Sequence, residues 1–424
     1  MFKNKPITQL VTGTLVLLFL GLIYAWSIFG ASLKVMFPTL GVSQLSLTFT
    51  LSMISFTLFS FVGGMLLKSH KPRLNLILTA VMLLIGFYGA STVRVDDPKG
   101  SLVKLYIFYG LFSGGGVGVG YNCVLATVKK CFPHNVGLSS GVMLLGFGFG
   151  GLVLGSTVSA LIGNIGIYSV FKILAVVIFL VCFVSSFILV GPNEALANAS
   201  RKATAENLTP TQMLKDVRFW LYLLWAIILN SAGLMIIGSA VDISLFYGGT
   251  AMLGLLLSIA NGGGRVAGGA FYDKNGEGLT SIINSVILLI ASLCLIFAGK
   301  SSSLVLIIVG MIAVGLTYGI VPAISAAYIN QAFGDEYYAV NFSLVNFNLI
   351  PAAIFGPMVS SRLIERSGGS YTSTFTVIAG LAIASIAVWA VFVRQNKIYN
   401  AEKNIVPSYA QKKLNYATSS KRVK

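Results

Sequence analysis

The sequence predicts an all-α integral membrane protein, with twelve transmembrane helices gathered into two six-helix bundles. Three observations carry that expectation. Of 424 residues, 56% are hydrophobic and only 10% charged, and the mean hydropathy is +0.87, which excludes an ordinary soluble domain. The apolar residues fall in runs of about 18 or more, long enough to cross a hydrocarbon layer as helices. The longest polar interruption divides these runs six and six.

In chain order the runs predict crossings at approximately 8–31, 44–67, 74–94, 102–127, 136–163 and 167–191, then 217–241, 250–272, 279–299, 302–329, 338–363 and 371–393. The first is longer than a signal-peptide core and lacks a small-residue cleavage site, so it reads as a retained helix. The organisation that follows is an N-terminal bundle over 1–191, a cytoplasmic linker over 192–216, a C-terminal bundle over 217–393 and a basic cytoplasmic tail over 394–424. In the linker, Thr209-Pro210-Thr211 can start a helix leading into Phe219-Trp220. Asn-x-Ser/Thr matches at Asn198 and Asn207 fall there too and read as chance. The tail reads as a solvated segment without regular structure, with attraction to anionic lipid headgroups as its functional alternative.

An even number of crossings puts both termini on one side. That side receives about 20 Lys and Arg, among them Lys68, Lys71, Arg73, Lys129 and Lys130, against about 8 on the other, so positive-inside sorting predicts a multi-pass cell-membrane protein with cytoplasmic termini. The net charge of +17 is thereby explained without nucleic acid. The lipid bilayer and a small solute are the expected partners, and a monomer is expected.

Cys123, Cys131, Cys182 and Cys294 are widely spaced and mostly within apolar runs, which indicates neither a disulfide framework nor a zinc site. His70 and His134 fall in loops. No nucleophile with a base, metal cluster or paired carboxylates occurs at workable spacing, so neither an enzyme nor a cofactor is expected.

Glycine is concentrated inside the spans. The stretch SGGGVGVGY, Ser113 to Tyr121, lacks the strand, soluble helix and distant acid of a nucleotide fingerprint. Its glycines, like Gly146, Gly148, Gly150, Gly151 and Gly155 in the fifth span, read as points of close helix approach. A weak repeat supports the division into halves: GGMLLKSHKPR from Gly63 and GGAFYDKNGEG from Gly268 each end a span in a charged turn.

Arg265 stands out. It lies eight residues before Asp273, which at ~1.5 Å per helical residue places it ~12 Å into a layer ~30 Å thick. A guanidinium cannot shed its proton, and a charge at this depth costs from about 2.5 to more than 10 kcal/mol. Every acid in the chain lies in or beside a predicted loop, so its partner is either a substrate anion or a helix carbonyl. Asn261 is four residues earlier on the same face, where it can accept from the guanidinium and donate to an anion. Tyr24, Tyr121 and Tyr318 lie deep in spans, away from the interfaces where Tyr collects, and each hydroxyl needs a partner. Asn346 and Asn348 are similar, and Asn346 joins the candidate substrate-binding set.

Together these residues resemble the major facilitator superfamily and, within it, the oxalate/formate antiporter family, relatives of monocarboxylate transporters. The resemblance rests on Tyr24-Ala25-Trp26, GVGVGY ending at Tyr121, CFPHNVGLSSG from Cys131, Phe219-Trp220, NGGGR from Asn261, Tyr318 with Pro322, and Ile354-Phe355-Gly356. It implies two bundles around a central cavity, alternating access, a substrate carboxylate on Arg265, and tyrosines that close around it. Two positions depart from the pattern. Leu349 stands where oxalate carriers are expected to hold a second cation, which points to a monoanion, and Lys68 replaces an expected Asp in the loop between spans two and three. Related proton symporters carry an acid where this chain has Asn261, so exchange or facilitated flux is favoured and proton coupling is left open. The expected function is transport of small monocarboxylates of the formate, lactate and pyruvate class. The alternatives are oxalate/formate exchange, multidrug efflux, or a non-transporting sensor on the same fold.

Overall fold

The computed structural model describes residues 6–69, 71–190, 207–237 and 239–420. His70, residues 192–206 of the linker with Asn198, and the last four residues of the tail lie outside them, as does the side chain of Lys68.

Ten helical runs among the described residues are long and apolar enough to cross a membrane. Two of them, Val136–Ile188 and the run ending at Ser301, are each a pair of crossings joined by a turn. The turns fall at Gly166 (φ 77°) and Gly276 (φ 75°), where positive φ lets the chain reverse without strain. Twelve crossings result: α1 (Pro6–Met36), α2 (Val42–Ser69), α3 (Pro72–Ala90), α4 (Pro98–Cys131), α5 (136–165), α6 (167–188), α7 (Val217–Ile237), α8 (251–275), α9 (277–301), α10 (Leu304–Phe333), α11 (Tyr338–Arg366) and α12 (Thr372–Ser420). The last extends beyond expectation. Its polar end continues α12 to Ser420.

Helix contacts repeat between the halves at the level of single atoms. A methyl group placed on Gly114 or Gly118 of α4 would fall 2.4 Å from the Ser52 carbonyl oxygen or 2.2 Å from that of Phe56, both on α2. On Gly315 or Gly319 of α10 it would fall 2.4 Å from the Leu257 oxygen or 1.9 Å from that of Asn261, both on α8. Ser52 precedes Phe56 by one helical turn, as Leu257 precedes Asn261, so the α2–α4 crossing is built a second time as α8–α10. Small residues one turn apart permit this approach, and in lipid it supplies much of the association energy.

The halves meet at the end that carries the chain's N-terminus. There α5 crosses α8 so closely that a methyl on Gly269 would lie 2.1 Å from the Gly137 oxygen, and one on Gly141 would lie 2.2 Å from the Arg265 oxygen. The symmetry-related crossing sets Gly64 of α2 against Ala339 of α11. Asn122 Nδ2 ties it together, donating to the carbonyls of Ser60 (2.8 Å) and Ala339 (2.7 Å). Asp273, ending α8, accepts from the Gly137 N–H (2.8 Å) and the Leu138 N–H (2.7 Å) at the start of α5, which satisfies free donors of a helix N-terminus with a negative charge. The described part of the linker is fastened here too. Asn207 Oδ1 accepts from the backbone of Asp335 (3.0 Å) and Glu336 (3.1 Å), while Leu208 N–H donates to the Phe333 carbonyl (2.9 Å).

Gly319→Ala is expected to destabilise the protein by about 1–3 kcal/mol or more, because its methyl group meets a rigid backbone oxygen. Thermal unfolding in detergent reads the loss; an unchanged midpoint would mean that the α8–α10 crossing yields easily.

Candidate functional site

Arg265 sits on α8 at mid-depth and is 4% exposed. Its Nη1 donates to the Leu144 carbonyl of α5 at 2.5 Å, and Nε makes a long 3.4 Å contact with Asn261 Oδ1 one turn away. The guanidinium lies against Gly148, where a methyl group would come within 3.1 Å of Cζ. A glycine thus admits the cation to α5, and Arg265 bridges the halves. Among the described residues it forms no ion pair. With five N–H donors and two of them engaged, three remain for a further acceptor.

The predicted tyrosines gather around it. Tyr24 lies in a 3₁₀ turn, Gly21–Ala25, that interrupts α1. Opposite, α5 loosens into a π turn over Gly150–Leu154, and a methyl on Gly151 would meet Tyr24 Cβ at 3.0 Å. Irregular turns of this kind inside membrane helices mark functional sites. Tyr121 enters from α4. Tyr318 enters from α10, with Pro322 one turn on lacking the N–H that would bond its carbonyl, and its ring fills the space beside Gly233 of α7. All three hydroxyls lie within electrostatic reach of Arg265, and Tyr24 and Tyr318 lie within reach of each other and of Tyr121.

Asn346 stands beside a different feature. No hydrogen bond ties it to the other five candidates among the described residues. It ends the first segment of α11, where Pro351 leaves the Phe347 carbonyl without its usual donor and the helix tightens through Phe347 and Asn348. Its amide nitrogen is buried and has no acceptor among the described residues.

Several residues of the site were absent from the expectations. Leu144 contributes only a carbonyl and Gly148 only an absence, which no residue-type rule detects. Phe147 packs between Tyr24 (5.3 Å between ring centres) and Tyr121 (4.9 Å). From Tyr121 the aromatic column continues through Phe342 (6.2 Å) to Tyr338 (5.4 Å). Lys129 caps the column with its ammonium 3.8 Å from the Tyr338 ring centre. That lysine, read as a loop charge, is 1% exposed and bonded to Asp335 Oδ1 and Asn330 Oδ1, with Lys130 Nζ 3.6 Å from Asp335 Oδ2. Burial pushes the Asp335 carboxyl up, but the Lys129 and Lys130 charges outweigh it and hold the group below its ordinary 3.8.

Asp335 is thus ionised at neutral pH and the pair is a buried latch between α4 and the loop before α11. Lys129→Met is expected to cost about 3–5 kcal/mol by stranding that carboxylate, whereas Lys129→Met with Asp335→Leu costs clearly less. Thermal unfolding of the single and double variants makes the comparison; additive losses would mean that the two charges are not coupled.

Comparison with known proteins gives a consistent answer. A family model described as Major Facilitator Superfamily matches residues 15–349. The oxalate:formate antiporter of Oxalobacter formigenes is 24% identical over 387 residues, covering 88% of each chain. An uncharacterized 38 kDa protein in the 23S RNA operon of Thermoproteus tenax is 29% identical over 82% of this chain and 86% of its own, and the uncharacterized transporter YhjX of Escherichia coli K12 is 25% identical over 78% and 82%. Among solved structures, the proton:xylose symporter XylE superposes with a TM-score of 0.73 over 92% of this chain and 96% of its own, at 14% identity. The E. coli fucose:proton symporter FucP gives 0.67 over 92% and 98%, also at 14%. These two likenesses concern the fold.

Proposed function

Because the chain belongs to the major facilitator superfamily, it is a membrane transporter and not an enzyme, and we propose that it carries small organic anions, monocarboxylates of the formate, lactate and pyruvate class, by alternating access. The observation that carries this reading is Arg265, buried at mid-depth with no ion pair among the described residues and donors to spare. A carboxylate is the anion whose two oxygens match those donors as parallel, charge-assisted hydrogen bonds. Asn261, Tyr24, Tyr121 and Tyr318 complete its hydrogen bonding, and Asn346 serves as a polar contact from α11. Half-buried Leu349, directly after the tightened turn of α11, leaves the site with one cation and a preference for a monoanion. Flux needs no proton carried by the protein at Asn261.

Exchange of oxalate for formate is the second reading, favoured by the Oxalobacter formigenes relative that is named for that activity. We place the protein in the cell membrane, as a monomer with both termini in the cytoplasm, on the balance of basic residues. Residues 1–191 and 217–393 are then the two moving bundles, 192–216 the linker and 394–424 the cytoplasmic tail. The latched end is the inner gate.

Arg265→Lys keeps the charge but loses the planar fork, so KM is expected to rise about tenfold or more; Arg265→Ala abolishes transport. Uptake of radiolabelled lactate, formate and oxalate into proteoliposomes is the measurement, and flux through Arg265→Ala equal to that of the unaltered protein removes the assignment. Leu349→Lys is expected to turn the preference toward oxalate in the same assay, and unchanged selectivity would deny that this position counts the charges of the cargo.

A further inference from the structure

The end of the first bundle away from the joined one carries a feature that the Arg265 site does not use. An open groove of about 720 Å³ lies where the end of α3, the loop to α4 and the first turns of α6 meet, with Tyr88, Arg94, Asp96, Tyr168 and Lys172 among its walls. Arg94 and Lys172 are both exposed, and neither side chain has an ion pair or hydrogen bond among the described residues. The rim that presents Arg94 is held in place. Ser101, buried near the start of α4, accepts from the Arg94 N–H at 2.7 Å and donates to the Arg94 carbonyl at 2.8 Å. Lys104 Nζ donates to the Thr92 carbonyl at 3.2 Å.

Below the groove α3 and α6 run antiparallel and in contact. Phe87 lies 6.2 Å from Phe171 between ring centres near one end, and Arg73 lies 4.1 Å from the Phe187 ring centre near the other. Exposed apolar side chains continue down both helices from the groove: Ile85 and Val81 below Tyr88, Val176 and Leu180 below Lys172. Each set keeps the spacing of one helix face. Lys172 is six residues past the turn at Gly166, about 9 Å along its helix. An exposed ammonium at that depth must reach up to the interface or meet an anion.

We propose that this groove binds the headgroup of an anionic phospholipid, a phosphodiester of the phosphatidylglycerol type, whose acyl chains lie along the exposed faces of α3 and α6. Charge and shape both favour that occupant. Two cations against one acid leave the named walls with a net charge of +1, which a phosphodiester monoanion cancels. Arg94 meets phosphate oxygens as a planar fork and Lys172 as a point charge, and basic pockets between membrane helices take such headgroups. The exposed Tyr88 ring has the amphipathic character of the interfacial belt. Asp96, within electrostatic reach of Tyr168, accepts from the hydroxyls of a glycerol headgroup. A free phosphate engages the cations but gains nothing from the apolar faces. The groove lies within one half, so the proposal is independent of the cargo assigned to Arg265.

The test is binding to the full chain, delipidated in detergent, of dioctanoyl phosphatidylglycerol, dioctanoyl phosphatidylethanolamine and glycerol 1-phosphate, read by thermal unfolding and by native mass spectrometry. Phosphatidylglycerol should bind about tenfold or more tightly than phosphatidylethanolamine, and glycerol 1-phosphate at the same concentration should leave the midpoint unmoved. Arg94→Gln with Lys172→Gln should weaken phosphatidylglycerol binding about tenfold or more, whereas Lys99→Gln, which removes a charge from the same loop outside the groove, leaves it unchanged. If the double variant does not fold, Lys172→Gln alone carries the comparison. Equal binding of the two lipids overturns the proposal, as does affinity retained in the folded groove variant or lost equally in Lys99→Gln. Stabilisation by glycerol 1-phosphate equal to that by the lipid also overturns it, leaving a site for soluble anions.

Discussion

The arrangement depends on a positive charge that cannot be neutralised where it sits. Arg265 is buried at mid-depth in a layer where every unmatched charge is expensive, and the fold answers it incompletely. Leu144 lends a carbonyl, Asn261 a distant oxygen, and Gly148 the room to reach them. Partial satisfaction is what the proposed binding role needs: enough to be folded, too little to be saturated. Because Leu144 and Gly148 belong to the first half and Arg265 to the second, the same contact also reports whether the halves are together.

Glycine permits the rest. Bare backbone lets α4 lie on α2 and α10 on α8 within reach of their carbonyls, twice over in matching register. The α5–α8 and α2–α11 crossings use the same device between halves, and each carries a polar tie, Asp273 on the start of α5 and Asn122 on Ala339. The symmetry is in geometry and not in chemistry. At one crossing a carboxylate caps a helix; at the other a side-chain amide and the buried Lys129–Asp335 latch hold the end. The expectation that Lys68 leaves the first half without its acidic loop residue is compatible with a joint fastened by other groups.

Much of this was legible in the chain. Twelve spans followed from apolar run lengths, since lipid imposes a length on every crossing, and the Gly63 and Gly268 pairs marked equivalent helix ends. Arg265 stood out because cost singles out a charge at depth. The remainder depends on neighbours 118 to 206 residues away in sequence. Lys129 looks like any loop lysine until Asp335 and Asn330 close on it, and Asn230 looks like helix packing until its partner Asn348 is known. The continuation of α12 to Ser420 was missed for another reason. Its polar composition suits a solvated coil and an exposed helix equally, and composition alone does not choose between them.

A lone fixed cation also has an electrical meaning. On the proposed assignment of the carboxylate to Arg265, the unloaded site carries one positive charge, a bound monoanion cancels it, and a dianion overturns it. Transmembrane voltage acts on such a group at about 2.3 kcal/mol per charge per 100 mV across the full field. On that reading it biases which face the unloaded site turns to while leaving the loaded, neutral one indifferent, so polarisation of the membrane governs the return stroke and not the delivery.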